Sequence, residues 1–402
     1  MYMNLLWFLT SIVQYKMSWD KPASIRKIKK AIEESGPVWQ KFAQSLSGQE
    51  ELIGADLAAE LQDILYDCPT HSDAYSKKVI ILDFGDKYDV SDMELIGSGT
   101  IAQVYRVGDI CIKIRHPNVA EDVVNAVASY NNIRGTLFFI PIALKQVCDN
   151  FFEGIEEQLD FHREFRNGTI FKQLYHNNTN PERNLFVIPR MLDKSDECLI
   201  MEYEPSRPLV MKGRSKINKH VLLKALHGII TTFHIGMLHG FLHADLHFGN
   251  YGIRGGFDDL QIVIYDFGHM YDIRENPYEN RMKSIMATET SDTELFVNSL
   301  LLDECDTERL LNSFDSLAKN KNQLDKNIKS GIACAVLNGM QIKKEVFQQA
   351  AFAEKTSSTT NLVLDLESDP EYQYMADCLK KSRKLYCATY FPHDDMKIYA
   401  NM

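Results

Sequence analysis

His243-Ala244-Asp245-Leu246-His247-Phe248-Gly249-Asn250, followed by Tyr265-Asp266-Phe267-Gly268, is the stretch whose reading decides the fold. Asp245 and Asp266 lie 21 residues apart, and the residues between them read as strand, turn, strand. An aspartate with an asparagine five positions later can flank one phosphoryl-transfer site. Asp245 would orient an attacking hydroxyl or accept its proton, Asn250 would offer Mg²⁺ a neutral oxygen, and Asp266 an anionic one. Magnesium takes hard oxygen ligands and brings phosphate oxygens with it, so this mix suits Mg-ATP. Phe267-Gly268 then lets the backbone turn sharply after the ligand. The plainer alternative is a capping aspartate beside a buried asparagine.

The histidines of the same stretch invite a metal reading. His239, His243 and His247 fall at i, i+4, i+8, which on one helix could bind zinc. Leu246-His247-Phe248-Gly249, however, reads as a loop leaving that helix, and no carboxylate supports a closed site. His243 therefore reads as a packing and hydrogen-bonding residue that holds the loop.

Upstream, Gly97-Ser98-Gly99-Thr100-Ile101-Ala102-Gln103-Val104 has the form G-x-G-x-x-A-x-V. Glycines there let backbone N–H groups approach phosphate oxygens without a Cβ in the way, although a simple hairpin turn would also explain them. Lys113 stands nine residues after Val104, inside the apolar run Ile110-Cys111-Ile112-Lys113-Ile114. A lysine in an apolar strand is costly unless it meets an anion, so it is expected to clamp nucleotide phosphates. It also needs a carboxylate to hold it. Glu157, Asp160 and Glu164 share a face if residues 152–175 are helical, with Glu164 the first choice of partner and a solvated acidic stripe the alternative.

Around these motifs, residues 93–96, 101–107 and 110–115 read as strands, with Gly108-Asp109 as a tight turn. Two further strands are expected at 185–189 and 198–203. Glu202 and Tyr203 end the second of them as candidate nucleotide contacts, before a hinge at 204–207. A long amphipathic helix over 219–238 leads into short strands near 251–253 and 260–265, and residues 275–402 read as mainly helical. Residues 36–67 also look helical, starting at Gly36-Pro37 and stopping at Cys68-Pro69. The plan is α+β and two-lobed, with three expected parts: a helical extension over 1–75, a strand-rich small lobe over 76–205 and a helical large lobe over 206–402.

The composition is that of an ordinary globular chain: 402 residues, 45% hydrophobic and 25% charged. A net charge of −11 argues against wholesale binding to nucleic acid. Residues 21–30 are a local basic run, either a solvated helix face or a contact for an anionic surface. The eight cysteines are scattered with no CxxC pair, so free thiols in a reducing intracellular compartment are expected. Residues 1–15 are apolar but too short to span a bilayer, and they read as a docked helix or a shallow membrane-surface anchor.

Together these residues resemble the UbiB/ADCK family of atypical kinases. Its N-terminal K-x-G-Q motif is echoed by Gly36-Pro37-Val38-Trp39-Gln40-Lys41-Phe42-Ala43-Gln44, where Lys41 and Gln44 lie one helical turn apart. Its K-x-R-H-P run is similar to Lys113-Ile114-Arg115-His116-Pro117. Its E-x-D-F-x-x-E-x-x-N segment is similar to Gln158-Leu159-Asp160-Phe161-His162-Arg163-Glu164-Phe165-Arg166-Asn167. The resemblance covers roughly 36–270 and implies a protein-kinase-like fold that binds ATP or ADP with Mg²⁺. It further implies a link to prenyl-lipid or quinone metabolism, with a lipid, quinone-pathway or membrane-surface partner. Lys41, Gln44, Glu157 and Asp160 are its implied regulatory residues, because the family's K-x-G-Q helices oppose ordinary protein phosphorylation.

Three departures follow. Ala43 replaces a glycine, and Gln158 stands for a glutamate, so the contact to Lys41 is expected to weaken or pass to Glu157. The loop Gly97-Ser98-Gly99-Thr100 is closer to ordinary kinases than the family's alanine-rich version. An active kinase or ATPase is the leading expectation. A nucleotide-sensing scaffold and a phosphotransferase of the aminoglycoside or choline kinase type are the alternatives.

Overall fold

Val104, Tyr105, Ile110, Ile112 and Ile114 are residues that suit a pleated, half-buried surface, and they build an antiparallel sheet in the computed structural model. The structure describes residues 5–17, 19–34, 36–47, 53–63, 70–135, 142–175, 185–209, 217–245, 248–315, 328, 331–332, 334–335, 340–368 and 370–390. The sheet comprises β1 (Glu94–Ser98), β2 (Ala102–Val107), β3 (Ile110–Arg115), β5 (Met191–Lys194) and β6 (Cys198–Glu202), in the order β1-β2-β3-β6-β5. Gly108 makes the β2–β3 turn at φ +57°, a left-handed conformation that costs glycine little. Lys113 lies in register between Val104 of β2 and Leu199 of β6.

One compact unit comprises Met1–Phe165 with Met191–Tyr203, and a second comprises Arg166–Arg190 with Glu204–Met402. Two apolar centres lie among the described residues of the first unit. One lies under the sheet, where Val79 and Ile80 of helix Asp73–Phe84 meet Tyr105, Ile112, Ile114, Cys198 and Ile200. The other is helical: Phe8, Ile12 and Tyr15 of helix Leu5–Met17 share a core with helices Pro37–Ser47, Val119–Ile133 and Ile142–Gly154. Aromatic rings fasten it, with Phe42 5.0 Å from Phe151 and Tyr130 stacked 4.5 Å from Phe152. From Leu5 onward the N-terminal apolar segment is thus a docked helix. Pro37 occupies the first turn of its helix, where its missing N–H is no loss.

In the second unit, helix Lys219–His239 is long and apolar enough to cross a membrane by length and composition, yet 89% of that window is buried inside the protein. It packs on helices Tyr278–Thr290, Lys344–Glu367 and Pro370–Tyr390, so its apolarity is that of a core helix. Asn218 caps its start, accepting from the His220 N–H at 2.8 Å, and Gly240 ends it at φ +70°. Four short strands form a second sheet, β4-β10-β9-β7: β4 Phe186–Val187, β7 Arg207–Pro208, β9 Tyr251–Arg254 and β10 Gln261–Ile264. A third pairing joins β8 (Phe241–His243) to β11 (Met270–Asp272).

The structure corrects several expectations. Residues 152–175 are not one helix: helix Ile142–Gly154 stops, Glu156–Leu159 is a 3₁₀ turn, and a new helix runs Phe161–Tyr175. The cause is Asp160, which is extended at φ −85° and ψ 93° and accepts from the Arg163 N–H at 2.9 Å as a helix cap. Met191–Lys194 is a strand the sequence did not announce, and the run at 185–189 pairs only over Phe186–Val187. Residues 36–67 give helices Pro37–Ser47 and Ala55–Asp63, while the Cys68-Pro69 stop lies outside the described residues. Among the described residues, Cys111, Cys148, Cys198, Cys305, Cys334 and Cys378 are free thiols.

Candidate functional site

The first set of groups belongs to the first unit and centres on Lys113. Its side chain projects from β3, and Nζ lies 2.9 Å from both carboxylate oxygens of Glu164 on helix Phe161–Tyr175. The side chains are 14% and 1% exposed, so the pair forms largely out of water. Nζ also stands 5.7 Å from the Phe161 ring centroid. The helix start is tied to the same strand by Arg115, which grips Glu197 and donates to the Leu159 carbonyl at 3.3 Å.

Glu157 and Asp160 do not share a face with Glu164, because the chain breaks between them. Glu157 pairs with Arg163 at 2.9 Å, and Asp160 serves as the exposed cap. Lys41 is half-buried on helix Pro37–Ser47; the backbone of Gln44 is in that helix, and its side chain lies outside the described residues.

The glycine loop differs in detail from its expected use. Gly99 closes the β1–β2 hairpin: its N–H donates to the Ala102 carbonyl at 2.9 Å, so it is not held ready for a phosphate. Its carbonyl accepts from His116 Nε2 at 2.9 Å. A Cβ on Gly97 would meet nothing within 4 Å, which leaves open space over that residue. Ser98 ends β1, and Thr100 is buried. Glu202 ends β6, while the Tyr203 N–H donates to the Asp109 carbonyl at 2.8 Å and the Tyr203 ring lies 4.3 Å under the Arg106 guanidinium.

The second set belongs to the second unit. His243 is buried on β8 and links two loops. The Tyr265 carbonyl can only accept, so Nε2–H donates to it at 3.0 Å. Nδ1 is then bare and accepts from the Asp245 N–H at 3.3 Å. Asn250 donates its side-chain N–H to the Asp245 carbonyl at 2.7 Å, which fixes the orientation of the amide and leaves Oδ1 as its acceptor atom. Asp266 is held at φ +58°, a left-handed conformation uncommon for a non-glycine residue, and its Oδ1 accepts from the Gly268 N–H at 3.3 Å. Phe267 is buried, its ring 5.3 Å from Phe171, and its carbonyl accepts from Asn167 at 2.9 Å. Backbone bonds Ala244–His269 and Tyr265–Asn250 complete the frame.

Residues 68–300 match the ABC1 atypical kinase-like domain. The chain belongs to that family, the UbiB/ADCK proteins. A protein-kinase-like α+β fold goes with this membership.

Among relatives of this ABC1 protein, the probable serine/threonine-protein kinase abkC of Dictyostelium discoideum is 26% identical over 243 residues, covering 57% of this chain and 34% of that protein. An uncharacterized protein in the hydrogenase 1 5′ region of Clostridium pasteurianum is 26% identical over 313 residues, covering 72% and 56%. The chain therefore spans about a third to just over half the length of these curated relatives. A solved Rv3197–erythromycin complex from Mycobacterium tuberculosis is similar with a TM-score of 0.48 and 17% identity, covering 75% of this chain and 83% of that one.

Motif reading missed three contributors. Arg115 and Asn167 stand inside motif runs that do not announce their partners, the Leu159 and Phe267 carbonyls, and His71, 2.7 Å from His116, stands in no motif. Long-range partners of this kind leave no periodic trace.

Proposed function

We propose that this ABC1-family protein is a Mg-ATP-dependent atypical kinase or ATPase whose γ-phosphoryl acceptor is water or a small or lipid-related hydroxyl compound. The observation that carries the reading is the Lys113–Glu164 pair. A buried ion pair adds little to stability compared with apolar side chains of the same volume, so keeping one points to a task for the ammonium. Clamping nucleotide phosphates is the task that suits a strand lysine oriented by a carboxylate.

The donor set of the second unit fits magnesium. Asn250 Oδ1 and the Asp266 carboxylate are hard oxygens, and the first is oriented by its own amide N–H bond to the Asp245 carbonyl. When bound, Mg²⁺ neutralises charge on the phosphate oxygens. In this reading Lys113 holds phosphates, Glu164 orients Lys113, and Asp245 orients the acceptor hydroxyl or takes its proton. Catalysis is then mostly positioning and charge stabilisation.

A nucleotide-binding scaffold is the second reading. It is favoured by the Gly99 N–H, which the hairpin uses, so that a phosphate meets one donor fewer. Thermal stabilisation by ATP or ADP with Mg²⁺, followed by an ATP turnover assay, separates the two. Active enzyme predicts Mg-dependent turnover that Asp266→Asn abolishes in a folded protein, and nucleotide stabilisation that Lys113→Ala removes. Stabilisation with no turnover selects the scaffold, and neither effect in the wild type refutes both.

A further inference from the structure

Strand β3 alternates along its length. Ile112 and Ile114 enter the core under the sheet, so Lys113 and Arg115, two positions apart, share the opposite face. Lys113 meets Glu164 there, and Arg115 meets the chain that leads into the Glu164 helix. The Arg115 guanidinium forks onto the Glu197 carboxylate, with Nε 3.1 Å from Oε2 and Nη2 on Oε1. Its Nη1 donates to the Leu159 carbonyl at 3.3 Å. The Arg115 backbone N–H donates to the Glu197 carbonyl at 3.0 Å, so Glu197 seats this arginine on the sheet twice over.

The Leu159 carbonyl stands at a joint. The 3₁₀ turn Glu156–Leu159 ends there, Asp160 is extended, and the next helix starts at Phe161. Before the joint, the Leu159 side chain is packed in the helical core with Phe152 and Ile155. After it, the Glu164 N–H donates to the Asp160 carbonyl at 2.9 Å. An extended residue between two helical pieces leaves two soft dihedrals that set the direction of the second piece. One ion pair beyond the joint fixes a distance and leaves that direction open. Strand β3 instead holds both sides, Leu159 through Arg115 and Glu164 through Lys113. His162 and Phe165 also reach the sheet, at Asp196 and Lys194, but the His162–Asp196 pair is exposed and water competes for it. The Arg115 side chain is 13% exposed.

Only a planar fork suits this task. Two of its N–H groups take the Glu197 carboxylate side-on, and a third is left pointing at the Leu159 carbonyl. An ammonium is a compact charge that can keep Glu197 but does not reproduce the fork.

We propose that Arg115 is a positioning residue for Lys113: seated on Glu197, it pins the Leu159 carbonyl, so that Glu164 approaches Lys113 from one direction and the ammonium is presented already oriented. The inference rests on the reading that Lys113 clamps nucleotide phosphates, and it adds a residue that acts on that clamp through Glu164.

Arg115→Lys tests it, because the variant keeps the positive charge and the Glu197 partner and gives up the Leu159 carbonyl. Measured on the full chain, its affinity for ADP with Mg²⁺ is expected to fall about 3- to 10-fold, the worth of one hydrogen bond. In a Glu164→Gln background, where no carboxylate directs the ammonium, the same substitution is expected to change affinity by less than about twofold. Wild-type affinity in Arg115→Lys would reduce the arginine to a charge and overturn the proposal. So would an equal loss in both backgrounds, which would place its action somewhere other than Glu164.

The Lys113 Nζ nitrogen resonance gives a readout free of nucleotide. Arg115→Lys is expected to move it towards its position in Glu164→Gln, while a change in fold stability alone would leave it in place. A Lys113 resonance identical in Arg115→Lys and wild type overturns the proposal. Should the wild type bind no nucleotide, the phosphate reading fails, and this resonance still decides whether Arg115 orients Lys113.

Discussion

The two sets of candidate groups are built on opposite principles. In the first unit, Lys113 and Glu164 hold each other by charge, with the carboxylate almost wholly buried. In the second unit, Asp245, Asn250 and Asp266 stand on loops whose shape is set by neutral bonds to backbone: His243 to the Tyr265 carbonyl, Asn250 to the Asp245 carbonyl and Asn167 to the Phe267 carbonyl. The comparison teaches where stability and chemistry are coupled. A functional charge that is also a structural partner cannot be removed without upsetting the fold. A functional charge displayed on an independently braced loop can.

Three substitutions break or sharpen that contrast. Glu164→Ala takes from the largely buried Lys113 ammonium the carboxylate that stands 2.9 Å away, and is expected to cost about 3 kcal/mol in urea unfolding. A loss below about 1 kcal/mol would mean that the pair is no better than a surface bridge, and the contrast would be broken. Asn167→Ala strips the buried Phe267 carbonyl of its donor and is expected to cost about 1–2 kcal/mol. A null effect would show that the Phe267 turn is braced by its packing alone. Asp266→Asn is expected to change stability least, by about 0.5 kcal/mol or less, because asparagine tolerates the left-handed conformation that this position demands. Calorimetric melting of that variant checks it, and a drop like that of Glu164→Ala would make the second set as structural as the first.

Much of this was legible in the sequence where the determinants are local. A lysine in an apolar strand, a Gly-Asp turn and an aspartate–asparagine spacing each carry their reason within a few residues, and β2, β3 and helix Lys219–His239 fell where the pattern put them. The helix over 152–175 was misread because apolar periodicity runs on across residues 155–160, while the interruption comes from one aspartate choosing to cap. Strand Met191–Lys194 is half polar and owes its conformation to pairing with β6, a partner that sequence patterning cannot supply. His71 is the extreme case. It stands 45 positions from His116, and nothing around either residue advertises that they meet.

The ring cluster of the N-terminal helices has a practical consequence. The chain has three tryptophans, of which Trp39 is 4% exposed among Phe42 and Phe152, while Trp19 is fully exposed. Iodide therefore quenches Trp19 and spares Trp39. The light that survives quenching comes in large part from the helix that carries Lys41, and a red shift in it would time the undocking of that helix in solution, without a label.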